Sequence, residues 1–171
     1  IIDNSNIKVG NVIVGLSSSG KSSYEKEYNS GIGSNGLTSA RHDVLSQYIK
    51  EKYPESYDND LPSALAYCGS KNLTDKLEGF NIDIGKMLLS PTRSYAPLLK
   101  LIFDEIGRNK INGIIHCTGG GQTKILHFID NLHIIKNNLF EIPPIFKLIM
   151  NESNTDPKEM YKVFNMGHRM E

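Results

Sequence analysis

Short β-branched runs alternate along this chain with longer stretches of helical period. "NVIVGL" (Asn11 to Leu16) is a compact apolar run closed by Gly and Ser, which predicts a buried strand. The polar, Gly- and Ser-rich stretch from Ser17 to Gly36 reads as a long loop. "TSARHDVLSQYIKEKYP" then predicts a helix capped by Thr38 or Ser39, with Ala40, Val44, Leu45, Tyr48 and Ile49 on one face and Pro54 just beyond its end. Tyr57 to Gly69 has no clear period. "DIGKMLLSPTRSYAPLLKLIFDEIG" predicts two helices separated near Ser90 and Pro91. The second carries apolar Leu98, Leu99, Leu101, Ile102 and Ile106 and stops at Gly107.

The remaining chain continues the alternation. "INGIIHC" and "LHIIKN" read as strands, and "TGGGQTKILHFIDN" as a glycine turn into a helix. "PPIFKLIMNES" and "DPKEMYKVFN" read as short helices, the second capped by Asp156 with Pro157 in its first turn. "MGHRME" opens a strand. This order predicts an α/β (α+β) class with a mixed β-sheet packed with helices. The 171 residues suffice for one domain with its own core, residues 1–171.

Composition narrows the function classes. Formal net charge is zero, whereas a nucleic-acid binder usually carries a basic excess. No apolar run approaches the roughly 20 residues of a membrane helix, so no membrane partner is expected. Cys68 and Cys117 lie far apart without paired-ligand spacing, which suits a reducing, cytoplasmic setting. The missing initiator Met and the stop at "FNMGHRME" lead to the expectation of a domain from a longer protein.

Two glycine-rich stretches carry candidate chemistry. From Gly15 to Ser22 the chain matches the phosphate-binding loop G-x-x-x-x-G-K-S after a strand-like run. A working loop of that kind must enter a helix whose N-terminus faces the phosphates, and needs an acidic residue ending an apolar strand. Here the continuation "SYEKEYNSGIGSNG" has no apolar helical face, and "INGIIHC" ends in His and Cys. The match therefore reads as misleading, with Lys21 a solvated side chain and the segment an anion-binding loop of another kind.

The second stretch, "HCTGGGQTKILHF", is more informative. A strand, three glycines and a helix would gather free N–H groups and a dipole end at one point. Thr118, Gly119, Gly120 and Gly121 are the candidate anion cradle, with a tight turn and no ligand as the plain alternative. His116, at the end of the strand, is the candidate catalytic residue, able to donate to a developing oxyanion or move a proton. Cys117 should face the other way, which makes a His116–Cys117 nucleophile pair geometrically poor. No metal ligand set is expected among the histidines.

"GNVIVGLSSSG", "GSNGLTSAR", "LLSPTRSYAPLLK", "INGIIHCTGGGQTKI", "PPIFKLI" and "EMYKVFNMG" occur in a familiar order. The chain resembles, over nearly its whole length, the C-terminal domain of the aminoimidazole ribonucleotide synthetases, also called phosphoribosylformylglycinamidine cyclo-ligases. Ser18-Ser19-Gly20 and Ser34-Asn35-Gly36 match the two halves of a family loop of the form S-S-G-x-H-S-N-G, separated here by an insertion from about Lys21 to Ile32. The apparent Gly-Lys-Ser is the junction with that insertion. Gly33 stands where the family loop has His, and His42, Tyr24 and Lys26 are the candidates to stand in for it.

The resemblance implies a two-domain subunit whose N-terminal domain carries most of the ATP and Mg²⁺ site and the homodimer contact. It implies ATP-dependent ring closure of formylglycinamidine ribonucleotide in purine biosynthesis: the formyl oxygen is phosphorylated, the ribose-bearing nitrogen attacks the activated carbon, and phosphate leaves. This chain would supply the substrate-side wall. Thr118 to Gly121 would take a phosphate or transferring phosphoryl group, and Ser18, Gly20, Ser34, Asn35 and Gly36 would hold ribose or phosphate. Arg93 would pair with a phosphate, or serve as a surface or helix-start Arg; Asn165 would bond substrate or lock its turn. The alternatives are a catalytically silent phosphate-binding domain of the same superfamily and a phosphate-loop NTPase.

Overall fold

Ile32, fully buried, lies inside an apolar core built mostly by helices. The computed structural model describes all 171 residues, Ile1–Glu171. Helix α1 (Leu37–Val44) buries Ala40 and Val44, and α2 (Gln47–Lys52) buries Ile49. Helix α3 (Ile84–Leu88) adds Ile84, Met87 and Leu88. Helix α5 (Pro144–Ser153) adds Ile145, Phe146, Leu148 and Ile149, and α6 (Pro157–Val163) adds Met160. Phe164, Met166 and Tyr67 complete the cluster. The spacing of these positions is the helical one, and their removal from water stabilises each helix by far more than intrinsic propensity does.

The helix foreseen after Thr38 is two helices. Its N-cap is Gly36, at φ 74°, and neither Thr38 nor Ser39 caps it. The break falls at Leu45, which is extended (φ −83°, ψ 145°) because it pairs with the segment at Lys71. The Lys71 N–H donates to Val44 O and the Ser46 N–H to Lys71 O. Tyr48 consequently turns outward and is exposed. Helices α3 and α4 (Ala96–Ile106) are separated around Ser90 and Pro91 as expected, and α4 stops at Gly107 with φ 89°. Asp156 caps α6 by accepting from the Lys158 N–H at 2.8 Å.

The sheet is smaller than expected. β1 (Leu16–Ser17) pairs antiparallel with β2 (His168–Met170), and His116 bridges Met170 on the other edge of β2, also antiparallel. The Ile115 and Cys117 N–H groups donate to Glu171 O and Arg169 O, each at 2.8 Å. The one parallel bridge, Leu45 to Lys71, lies outside this sheet. Val12, Ile13 and Val14 are exposed and pair with no strand, and the expected strand "LHIIKN" forms no ladder either. Apolar runs of this kind need a neighbouring backbone to bond, and none of this chain's segments reaches them. The segment after the three glycines is a 3₁₀ helix, Gly121–His127. No helix is long and apolar enough to cross a membrane.

Candidate functional site

The long polar loop is built from inside out. Asn29, Ser30 and Ile32 are buried, so the residues read as an insertion pass through the core of the fold. Gly20 and Asn29 exchange both backbone hydrogen bonds (3.0 and 2.9 Å), pinching Lys21 to Tyr28 into a hairpin. Ser30 Oγ donates to Met87 O at 2.7 Å, and the Ser30 N–H donates to Ser90 Oγ at 3.0 Å. Lys21 is exposed and no helix follows it, which removes the phosphate-loop reading.

Arg93 is committed inside this loop. Its Nε and Nη2 donate to the two Glu25 carboxylate oxygens at 3.0 and 2.8 Å. Nη2 also donates to Gly20 O at 3.0 Å. The pair is largely buried, with side chains 10% and 15% exposed. Burial by itself would raise the Glu25 carboxyl. Hydrogen bonds from Arg93, the Ser22 N–H and Asn29 outweigh it and hold the group below the ordinary carboxylate range. Glu25 carried no sequence signal, since a lone acid in a polar loop looks like any solvated residue.

Two glycine loops meet. A side chain on Gly119 would first touch Asn35 Oδ1, at 3.7 Å. Asn35 is fixed by donating from Nδ2 to Val163 O at 2.6 Å, and Ser34 stands exposed beside it. The turn itself is compact. The Gly121 N–H donates to Thr118 O at 2.8 Å, and the Thr123 N–H and Oγ1 both donate to Gly120 O. The Gly119 and Gly120 N–H groups are not used by the protein backbone. Gly121 is a packing glycine, because a Cβ there would collide with the carbonyls of Tyr161 and Phe164. Gly120 has φ 95°, and a Cβ there would stand in ordinary contact with Lys124 at 3.6 Å. The expected helix dipole is not available, since the seven-residue 3₁₀ segment does not align peptide dipoles as a full α-helix does. What the turn offers is free N–H groups.

His116 is exposed at the edge of this turn while Cys117 beside it is buried, the opposed pair that strand alternation requires. Partial desolvation and the charges of Arg169 and Lys124 hold the His116 imidazole below its ordinary pKa. Both effects favour the neutral imidazole, which has one N–H to donate and one nitrogen to accept. Asn165 takes the second of its two expected roles. Its Nδ2 donates to Gly31 O at 2.8 Å and its Oδ1 accepts from the Gly167 N–H at 3.0 Å, locking the turn into β2.

Arg169, which sequence reasoning passed over, packs beneath the loop at Gly33. It is 2% exposed, and its Nη2 donates to Gly31 O and Ile32 O, both at 2.8 Å. A Cβ on Gly33 would lie 2.9 Å from its Cζ and Nη1. The space beside Gly33 is thus taken by Arg169, and none of His42, Tyr24 or Lys26 enters it. His42 is buried against Tyr67 and accepts its N–H, Tyr24 bonds Ser94 O, and Lys26 is exposed. Ser18 is 2% exposed, and its Oγ has no partner. No group of three His, Cys, Asp or Glu side chains gathers anywhere on the chain.

No protein-family model matches the chain. Among curated proteins it is 35% identical over 175 residues to the phosphoribosylformylglycinamidine cyclo-ligase of Carboxydothermus hydrogenoformans, a match covering 98% of this chain and 39% of that protein. It is 31% identical over 176 residues to the enzyme of the same name from Syntrophus aciditrophicus, at the same two coverages. It is 35% identical over 167 residues to that of Methanococcus vannielii, covering 98% of this chain and 38% of that protein. The chain therefore spans about two-fifths of the length of these relatives.

Proposed function

Because the chain is, over 98% of its length, a homologue of one segment of the phosphoribosylformylglycinamidine cyclo-ligases, we propose that it forms the substrate-side wall of such an enzyme. In this reading it is the C-terminal part of a two-domain, homodimeric, cytoplasmic subunit acting on formylglycinamidine ribonucleotide. ATP would supply the phosphoryl group that turns the formyl oxygen into a leaving group. The ATP and Mg²⁺ contacts would belong mainly to the rest of the protein.

The observation that carries the reading is the meeting of Asn35 with Gly119. It brings two loops distant in sequence to one point, where the free Gly119 and Gly120 N–H groups, the Thr118 hydroxyl and neutral His116 can surround an oxyanion. An anion held by fixed donors is stabilised with little reorganisation, which is what phosphoryl transfer asks of a protein. His116 is placed to donate to charge developing on substrate oxygen or to take a proton from the attacking nitrogen. Arg93, Glu25 and Asn165 hold the loops in place.

The test is ATP-dependent formation of aminoimidazole ribonucleotide by the full-length protein that contains this chain. His116→Ala should lower kcat by at least about tenfold, while Lys21→Ala should leave it within a few-fold. The 171-residue chain alone should not turn over ATP. ATP turnover by that isolated chain, or a collapse of activity in Lys21→Ala, would overturn the reading.

A further inference from the structure

We propose that the cavity between α1 and the segment from Glu55 to Leu61 binds a small zwitterion of the α-amino-acid class, its carboxylate on Arg41 and His42 and its ammonium on Glu55 and Asp58. None of the residues assigned to the glycine-loop site lines this cavity, so the proposal stands apart from the cyclo-ligase reading.

The cavity has a volume of about 320 Å³, at the lower end of the range of small-molecule sites. One wall is a face of α1. Thr38, Arg41 and His42 are spaced i, i+3 and i+4 and so lie on one side of that helix. The other wall is the chain from Glu55 to Asp58, followed by Leu61. Basic groups therefore stand on one wall and acidic groups on the other.

Three observations converge on this cavity. His42 is 8% exposed, and the Tyr67 N–H donates to its Nδ1 at 3.3 Å, which leaves the ring proton on Nε2. Nε2 has no partner, and it is not among the fully enclosed unpartnered atoms, which are Ser18 Oγ, His168 Nδ1 and one Glu171 oxygen. A buried imidazole thus keeps a free donor, and the open space it borders is this cavity. Second, Arg41, Glu55 and Asp58 line one cavity, yet none of them enters an ion pair. The only hydrogen bonds of the Arg41 guanidinium are long ones from Nη1 to Ser56 O and Tyr67 Oη, at 3.4 and 3.5 Å, so Nε and Nη2 are free. Third, the gap is held open by a rigid frame. Tyr67, 1% exposed, fixes His42 on one wall through its N–H, and on the other wall its hydroxyl lies 2.9 Å from Ser56 Oγ.

Facing charges of opposite sign that are kept from closing on each other suit a ligand that carries both. A carboxylate accepts from the Arg41 fork and the His42 N–H, and an ammonium donates to the two rim carboxylates. A simple anion would leave Glu55 and Asp58 unanswered, and a simple amine would face Arg41. Tyr57 and Leu61 supply apolar surface for a side chain.

L-leucine is the probe, with isocaproate and isoamylamine as the same molecule lacking the ammonium or the carboxylate. In calorimetric titrations of the full-length protein that contains this chain, L-leucine should bind saturably, and each truncated probe at least about tenfold more weakly. In the ¹⁵N-histidine-labelled protein, L-leucine should shift the His42 Nε2 resonance, a readout that needs no variant. Arg41→Gln should weaken L-leucine at least about tenfold. With Glu55→Gln and Asp58→Asn together, both at exposed positions, L-leucine and isocaproate should bind alike. Failure of the wild-type protein to bind L-leucine, a His42 resonance unmoved at saturation, or equal wild-type affinity for L-leucine and isocaproate overturns the proposal. So does wild-type affinity in folded Arg41→Gln, or a preference for L-leucine that survives in the double variant. None of these outcomes touches the cyclo-ligase reading.

Discussion

Gly33 lies directly on the guanidinium of Arg169, so that a single added carbon would stand 2.9 Å from its Cζ. A loop near the start of the chain and a strand at its end are fitted to each other through this contact. Gly33→Ala should therefore destabilise the fold on two counts: positive φ, about 1–3 kcal/mol, and displacement of a buried charge from its two carbonyls. In an Arg169→Ala background the same substitution should cost only the backbone strain. Urea unfolding of the two single variants and the double variant measures the difference. Equal costs in both backgrounds would mean that the contact carries no energy.

The Glu25–Arg93 pair predicts a specific acid response. The folded Glu25 carboxyl is held below its unfolded value near about 4.3, so its contribution is present above that pH. It is lost as pH falls through the lowered folded value. Glu25→Gln should flatten this part of the profile, which urea midpoints taken between about pH 6 and pH 3 would reveal. Arg93→Ala should cost on the order of 2–4 kcal/mol at neutral pH, because it strands a mostly buried carboxylate.

Gly120→Val tests the turn. At φ 95° a β-branched residue is strained, yet a Cβ there would meet nothing nearer than Lys124 at 3.6 Å. A loss of stability of about 1–3 kcal/mol is expected from strain alone. Phosphate affinity should fall at least tenfold, about 1.4 kcal/mol, because the N–H groups of the turn move. Calorimetric titration separates the two effects. Unchanged affinity in the folded variant would make these glycines merely a way of turning the chain.

The two thiols should react very differently. Burial, and then the nearby Glu171 charge, push the Cys117 thiol up to about 12, and it is 1% exposed. Cys68 is exposed. A disulfide-exchange reagent should titrate one thiol quickly in the folded chain and the second only on unfolding. Two fast thiols would mean that the β2 edge opens readily.

The amino-acid pattern alone was enough for the elements whose signals are local. Helices α5 and α6, with their apolar spacing and the Asp156–Pro157 start, and the stop of α4 at Gly107 are written in neighbouring residues. So was the rejection of the phosphate-loop match, since "SYEKEYNSG" cannot begin a helix. The order of its motifs also pointed to the relatives that the chain matches. Other features depend on partners far away along the chain. Leu45 leaves its helix because Lys71 pairs with it, the residues taken for an insertion enter the core because Met87 and Ser90 bond Ser30, and Arg93 is occupied because Glu25 reaches it. Arg169 reads in sequence as an ordinary strand residue. Its burial and its fit beneath Gly33 exist only once both ends of the chain are packed together, because charge, exposure and contact belong to surroundings that a linear pattern does not contain.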